Sequence, residues 1–412
     1  MFSWEYPPRV VGGLARHVHE LSVALQAGGT QVDVITVDEN PVSPETEIVQ
    51  GVRVWRTRPY HLTPRDFISG ILQMNLAMLE KALSLFLQGY DYDVIHAHDW
   101  LVAYAARAVK HAVKRPLVAT IHATEYGRNR GLHTDEQRYI SDVEWWLTYE
   151  AWKVICCSQY MFHELKRIFQ LPTDKIAIIP NGVEPEQFRL KRSESKIRDR
   201  YAAPEEKIIF FVGRLVQEKG IHLLLEAAPK ILAAEPKAKF IIAGKGPALE
   251  NLRWQARKSG LEKSFYFTGY IDDLTRNALY QAAAVAVFPS LYEPFGIVAL
   301  EAMAANVPVV VSDTGGLAEI VEHGVNGLKC YPGNAESLAD QIITLLKDQV
   351  YAKQLVRRAR QMVEKTYAWQ EIAKQTRNIY QEVLAEFTQS EWALPPTAME
   401  SDLNQIWQAR PH

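Results

Sequence analysis

Several stretches of this sequence gather residue types that can hold an anion, a hydroxyl or a proton. Val10-Val11-Gly12-Gly13-Leu14-Ala15-Arg16-His17 puts paired glycines at the opening of a helical stretch. There backbone N–H groups can approach an anion, although a tight strand–helix turn reads the same way. His96-Ala97-His98-Asp99-Trp100 ends an apolar run, and the period of two puts His96 and His98 on one face. An HxH pair can open a metallohydrolase site, but such a site needs more ligands and no second cluster of suitable spacing follows, so no metal is expected. Asp91-Tyr92-Asp93 has the form of a metal-binding DxD, yet it precedes a strand and reads as a solvated turn. In Thr120-Ile121-His122-Ala123-Thr124-Glu125, His122 can bond a hydroxyl or steady a developing charge near neutral pH, or serve as a structural loop histidine.

The second half of the chain carries its own set. In Gly213-Arg214-Leu215-Val216-Gln217-Glu218-Lys219-Gly220, two cations flank a helix start, a setting suited to a diphosphate. Glu293-Pro294-Phe295-Gly296 leads into a helix that bears Glu301. A loop carboxylate and a helix carboxylate can face one crevice and accept hydroxyls. Glu301 sits among Leu300, Ala302, Met303 and Ala304, where an unpaired carboxylate is costly, so it requires a partner. Thr314-Gly315-Gly316 is a further glycine turn. Gly244-Lys245-Gly246-Pro247 is a poor dinucleotide fingerprint but fits a loop at a strand end.

These motifs need elements to aim them. β-branched runs at 31–37, 93–98, 116–122, 153–157 and 175–180 alternate with helical periodicity at 17–26, 67–88 and 139–151. After a turn at Asn181-Gly182-Val183 the pattern restarts with strands at 208–213, 240–243, 265–267, 285–288 and 307–311 and helices between them. Strand–helix alternation of this kind predicts parallel sheets covered on both faces, where ligands bind beyond the carboxyl ends of the strands. The stretches 335–347 and 352–386 read as helices, and residues beyond 388 as a loose polar tail.

A length of 412 residues suits two domains, and 46 basic against 48 acidic side chains leave a net charge of −2, which excludes the bulk footprint of a nucleic-acid binder. Three cysteines make no disulfide framework and fit a reducing, cytoplasmic compartment. The apolar stretch 67–87 carries Glu80 and Lys81 and reads as a buried or surface helix. The basic run Arg107, Lys110, Lys114, Arg115 leaves a peripheral membrane contact open, with a solvated helix end as the plainer reading. Trp145-Trp146 can stack on a sugar but reads first as core. Only Met1 to about Trp4 precede the first loop, so the chain is expected to begin inside its own first strand, either a short one or one with residues upstream.

Together these sites resemble the retaining glycosyltransferases of family 4 and, more loosely, the bacterial and archaeal glycogen synthases. Gly12-Gly13, His96-Ala97-His98-Asp99, His122, Gly213-Arg214 with Lys219-Gly220, and the E-x7-E pair Glu293 and Glu301 carry the likeness, which spans residues 5 to 385 or so. The resemblance implies an α/β GT-B fold: two facing, Rossmann-like, doubly wound domains with a C-terminal crossover helix. It places an acceptor domain at 1–185 joined by the crossover helix at 368–388, a donor domain at 186–367 and a flexible tail at 389–412, with Tyr367-Ala368-Trp369 marking the crossover. It further implies transfer of a sugar, glucosyl by preference, from a nucleoside diphosphate sugar to a carbohydrate or lipid-linked acceptor hydroxyl. The anomeric configuration is kept, and neither metal nor cofactor is needed beyond the donor itself. Carried onto this chain, Arg214 and Lys219 hold the diphosphate, Glu301 the ribose, Glu293 the donor sugar, Gly12, Gly13 and Gly296 the close backbone approach, and His122 the region of the reacting carbon. Gly246 and Tyr270 neighbour the base. Val10 departs from the K-x-G-G of glycogen and starch synthases, which weakens a glucan-elongating, ADP-glucose reading. A nucleotide-sugar epimerase or a non-catalytic sugar-binding relative is the alternative.

Overall fold

A computed structural model describes residues 1–38, 40, 42–60, 62–188 and 197–393. Its first half contains β1 (Asp33–Val37), β2 (Thr46–Val49), β3 (Val52–Thr57), β4 (Ile95–His98), β5 (Leu117–Ile121), β6 (Lys153–Cys156) and β7 (Ile176–Ile178). They pair as β2-β3-β1 and as β4-β5-β6-β7. The opening residues join these two groups. Phe2 bridges Ile35 of β1 and Ala97 of β4 in parallel, with its N–H donating to His96 O at 2.7 Å and its carbonyl accepting from His98 N at 3.1 Å. The first three residues therefore act as the central strand, and the Val10–His17 stretch departs from its carboxyl end. β1, β4 and β5 are buried along their whole length, as parallel strands covered by helices on both faces must be.

β2 runs antiparallel to β3 around Gln50-Gly51, both with positive φ (48° and 89°), the backbone of a two-residue hairpin turn. Alternation through Thr46–Val49 and Val52–Thr57 is the sequence signal for this hairpin, which the strand–helix reading passes over.

The second half contains β8 (Lys207–Val212), β9 (Ala238–Ala243), β10 (Phe265–Gly269), β11 (Ala283–Phe288), β12 (Val309–Ser312) and β13 (Leu328–Cys330), all parallel, in the order β10-β9-β8-β11-β12-β13. In a sheet so ordered the direction of winding reverses between the first and fourth strands, here β8 and β11, and a crevice opens beyond their carboxyl ends. The Arg214–Lys219 loop follows β8 and the Glu293 loop follows β11.

The helical stretch expected at 352–386 is two helices. Gln349–Thr366 ends at Tyr367, and Ala368, extended at φ −69° and ψ 135°, precedes Trp369–Thr388. The break lets the chain recross. Val183 N donates to Tyr367 O at 2.8 Å, and the Trp369 ring lies so close to Gly182 that a Cβ there would sit 2.7 Å from it. The returning helix packs on Gly13–Ala27 of the first half. Its Tyr380 hydroxyl meets His96 Nδ1 at 2.6 Å, and its Glu382 pairs with Lys153 at 2.6 Å.

Trp392, in a short turn Glu391–Ala393, lies beneath the ammonium groups of Lys110 and Lys114. The chain is thus still docked at 391–393, and 394–412 lies outside the described residues. Arg107, Lys110 and His111 converge on Glu150, and Arg115 pairs with Asp91, so the basic run is largely answered within the chain. Helix Phe67–Leu87 is long and apolar enough to cross a membrane by length and composition, but Ile71, Met74, Met78, Ala82 and Leu85 sit in the core. Trp145, 45% exposed, is not core: it stacks on Tyr149, while Trp146 packs partly buried against Tyr104.

Candidate active site

The carboxyl ends of β8 and β11 bring Lys219 and Glu293 together. Leu291 N donates to Glu218 O at 2.7 Å, tying the two loops, and Lys219 Nζ lies 2.6 Å from Glu293 Oε2. Ser290 Oγ donates to the same oxygen at 3.2 Å. Glu293 is buried, so the contact is a charge pair in a low-dielectric setting and not a solvated one. Arg214, in the same loop as Lys219, is half-exposed, with its guanidinium 3.5 Å from Glu218. Gly296 caps helix Ile297–Ala304 at φ 107°, and a Cβ there would strike Leu317 Cδ2 at 2.5 Å, so only glycine satisfies both the conformation and the space. At Gly246 the demand is proximity alone: a Cβ would lie 2.3 Å from Leu215 O, where the loops after β8 and β9 run backbone to backbone. Tyr270, after β10, is 63% exposed, with Lys245 Nζ 5.9 Å from its ring centroid.

The partners that Glu301 requires come from both halves of the molecule. Arg16 Nη1 lies 2.5 Å from Glu301 Oε1 and its Nη2 lies 2.7 Å from Asp273, while Arg276 stands 3.8 Å from Oε1 and the Tyr280 hydroxyl donates to Oε2 at 3.1 Å. Burial pushes the Glu301 carboxyl up, but Arg276, Arg16 and Tyr280 outweigh it and hold the group below its ordinary value, ionised. Gly13 faces the same place: a Cβ on it would sit 3.3 Å from Ile297 Cδ1, so the first-half glycine loop and the second-half helix start oppose each other. Gly12 opens on free space, and its N–H, with that of Val11, donates to buried Glu5 Oε2 at 3.2 and 2.5 Å. The loop is held from behind by Glu5.

On the first-half wall, His122 N donates to Asp99 Oδ1 at 2.7 Å, and His98 Nδ1 lies 3.3 Å from His122 Nε2. His17 completes a triangle, its ring centroid 4.6 Å from His122 and 5.4 Å from His98. His96, the other half of the HxH pair, is turned away and spoken for by Tyr380 and by Thr120 Oγ1 at 2.7 Å. Burial, helped by Arg128, drives the His122 imidazole down to about 3, and burial puts His17, His96 and His98 well below their usual value, so all four rings are neutral at pH 7. At the rim the halves touch directly. Ser158 Oγ donates to Pro294 O at 2.7 Å, and the Glu319 carboxylate accepts from Gln159 N and Tyr160 N at 2.9 and 2.7 Å.

The sequence family described as Glycosyltransferase Family 4 matches residues 11–187, and that described as Glycosyl transferases group 1 matches residues 193–362. A glycosyltransferase of Methanocaldococcus jannaschii, itself uncharacterized, is 43% identical over 385 residues, 92% of this chain and 97% of that one. The glycogen synthase of Mycobacterium tuberculosis is 38% identical over 393 residues, 92% and 93% of the two chains. The chain is a family 4 glycosyltransferase. Sucrose-phosphate synthase of Thermosynechococcus elongatus superposes with a TM-score of 0.78 at 27% identity, over 91% of this chain and 94% of that one. The catalytic domain of starch synthase IV from Arabidopsis thaliana, bound to ADP and acarbose, does so at 0.75 and 17% identity over 93% and 98%, sharing the GT-B fold.

Residue types alone do not single out several groups that build this glycosyltransferase's cleft. Glu5, Asp99, Arg128 and Glu144 hold the loops from beneath. Arg128 lies 4.0 Å from Asp99, and both Glu144 oxygens accept from Glu125 N at 2.9 and 3.0 Å. Arg16 and His17 stand in the first turn after the glycines, where position beside a candidate anion loop is the available signal. Burial raises Asp99 to about 6 and Glu144 to about 8, in each case against the pull of Arg128.

These shifts set an acid limit on the transferase. Below about pH 6.5 the unfolded chain protonates histidines that the folded chain keeps neutral, so each of the four buried rings lowers stability by about 1.4 kcal/mol per pH unit. Asp99 and Glu144 act oppositely, holding protons in the folded state that the unfolded chain has released. The four rings outnumber these two carboxyls, and the lowered Glu150 and Glu301 act with the rings, so acidification below about pH 6 is destabilising on balance. Between about pH 6 and 8 the loss from Glu144 as pH rises is opposed by the buried Met1 ammonium, lowered from 8.0 to about 6, which gains stability over the same range. Thermal melts are expected to change little between pH 7 and 8 and to fall on acidification; a Tm unchanged between pH 7 and 5 would sink this account.

Proposed function

We propose that the enzyme transfers a glucosyl unit from a nucleoside diphosphate sugar to an acceptor hydroxyl, with a glucan as acceptor, retaining the anomeric configuration and needing no metal for the chemical step. The observation that carries the reading is the Lys219–Glu293 pair across the point where the second sheet reverses its order. Lys219 and Arg214 supply fixed positive charge where a diphosphate leaving group develops negative charge, the task an oxyanion-binding site performs. Glu293, behind Lys219, receives donor-sugar hydroxyls, and Glu301 receives those of the ribose. Gly12, Gly13 and Gly296 allow the phosphates to approach backbone, and Gly246 and Tyr270 border the base. His122, neutral, meets the sugar near the reacting carbon.

In the step itself the bond from the anomeric carbon to the phosphate oxygen breaks and the acceptor oxygen bonds that carbon on the same face. The acceptor proton passes to the departing diphosphate, so no enzyme nucleophile is required. The glycogen synthase likeness supports glucose and a glucan, while Val10 in place of the lysine of K-x-G-G sets this enzyme apart within that group. The thiols of Cys156, Cys157 and Cys330 are unpaired, in keeping with a reducing compartment.

Incubation with UDP-glucose or ADP-glucose and a maltooligosaccharide series is expected to release the nucleoside diphosphate and lengthen the acceptor by α-linked glucose, read by NMR. The reading is overturned if neither donor is turned over and wild type and Glu293→Ala show the same donor-induced thermal shift.

A further inference from the structure

Three imidazoles from separate elements point at one spot: His17 from helix Gly13–Ala27, His98 from the end of β4, and His122 from the loop after β5. One ring nitrogen of each lies within 4.8 Å of the others. His98 Nδ1 and His122 Nε2 are 3.3 Å apart. That matches the ~3.3 Å between two nitrogens on a tetrahedral ion with bonds of about 2.0–2.1 Å. His17 is 4% exposed, yet neither of its nitrogens has a hydrogen-bond partner; Asn181 lies near enough to act on it, but its amide oxygen is unpartnered too. His98 is fully buried with Nε2 unpartnered. Buried polar atoms left without a partner cost about 1–3 kcal/mol each, and His17, whose two ring nitrogens are both unpartnered beside His98 and His122, marks a place where something can bind.

The donor set identifies the chemistry. It is all imidazole nitrogen, without carboxylate or carbonyl oxygen, which suits zinc, nickel or copper and disfavours magnesium and calcium. His96 is excluded because both its nitrogens are occupied. The ligand set is therefore not the HxH pair but its second member with two residues from elsewhere in the chain. His122 is half-buried, which gives an ion a way in.

We propose that His17, His98 and His122 form a trihistidine site for a divalent transition metal of the zinc class, and that filling it inhibits the transferase by withdrawing His122 from the donor sugar. The inhibitory half rests on the role given to His122 above; the binding half does not. Without outer acceptors to orient His17 and His98, the ion is held less tightly than in structural zinc sites, as a reversible ligand.

The test uses the full chain, stripped with EDTA and dialysed, titrated at pH 7.5 with Zn2+ alone against a chromophoric chelator, and with Mg2+ as the hard-ion control. A single Zn2+ equivalent is expected, with no competition from Mg2+. His17→Ala should weaken binding by at least about tenfold, and His98→Gln, close in size, guards against a variant that fails to fold, with circular dichroism confirming the fold of each. Nucleotide-sugar turnover should fall over the same Zn2+ range and return with EDTA. Zn2+ bound equally by wild type and both folded variants overturns the site. Binding at this site without loss of turnover overturns the inhibition. A protein with no turnover on any donor fails the proposed function while leaving the zinc titration readable.

Discussion

Lys219→Ala is expected to reduce kcat by two to three orders of magnitude, the loss seen when one preorganised donor to a developing anion is removed (about 10²–10³-fold). The ammonium lies 2.6 Å from buried Glu293 Oε2, so in the proposed reaction it would meet the leaving group already oriented. The same geometry makes the variant informative about structure. Without the cation, Glu293 keeps Ser290 Oγ but has lost its charge partner in a buried place, and the Tm should drop as well. Lys219→Arg separates the two effects. It restores a charge for Glu293, and with it most of the stability, but its planar fork sits differently from a point ammonium, and turnover should remain well below wild type. Steady-state kinetics with saturating donor decide the matter: a Lys219→Ala kcat equal to that of wild type removes the diphosphate role.

Glu301→Ala is expected to lower both stability and donor affinity. The carboxylate lies 3.8 Å from buried Arg276 and pairs with Arg16 of the first half, while Asp273 holds both guanidiniums at 2.7 Å. Breaking a buried pair costs about 3–5 kcal/mol where the other charge is left alone, and less here because Asp273 and Asn277 still hold Arg276. For a unit of this size a cost of about 2 kcal/mol corresponds to a Tm about 5 °C lower. Arg16→Met should cost much less: Arg276 still answers Glu301, and Arg16 is partly exposed. The two variants part again in kinetics. Glu301→Ala loses acceptors for the ribose hydroxyls and should raise the donor KM, whereas Arg16→Met frees Glu301 for that ribose and should leave it unchanged or lower it. Equal Tm values for Glu301→Ala and wild type, by scanning calorimetry, would show that the buried pair carries no stability.

Much of this enzyme was legible before any coordinates. Runs such as Ile208–Val212 and Val309–Val311 are β-branched or aromatic and short enough to be strands, and period and propensity are local properties, so the alternating α/β pattern and the motif-bearing loops at strand ends follow from them. The hairpin around Gln50-Gly51 and the break at Tyr367-Ala368 lie outside that pattern. The first is an antiparallel excursion in a parallel sheet. The second is a helix ended not by a breaker residue but by where the next helix had to dock, on Gly182 and on the first half.

For the site the same division holds. The sequence by itself determined which residues carry charge, which glycines allow close approach, and that a carboxylate set among Leu300, Ala302 and Met303 must have a counter-ion. It could not say that the counter-ion is Arg16, 285 positions away, or that His98 turns toward His122 and His17 while His96 turns toward Tyr380. Those choices depend on how two sheets face each other and where the last helix returns, and such closure is fixed by burial summed over the whole molecule rather than by any local run of residues. Tertiary structure alone selected the partners, because a buried charge or an unpaired imidazole takes whatever group the fold brings within reach.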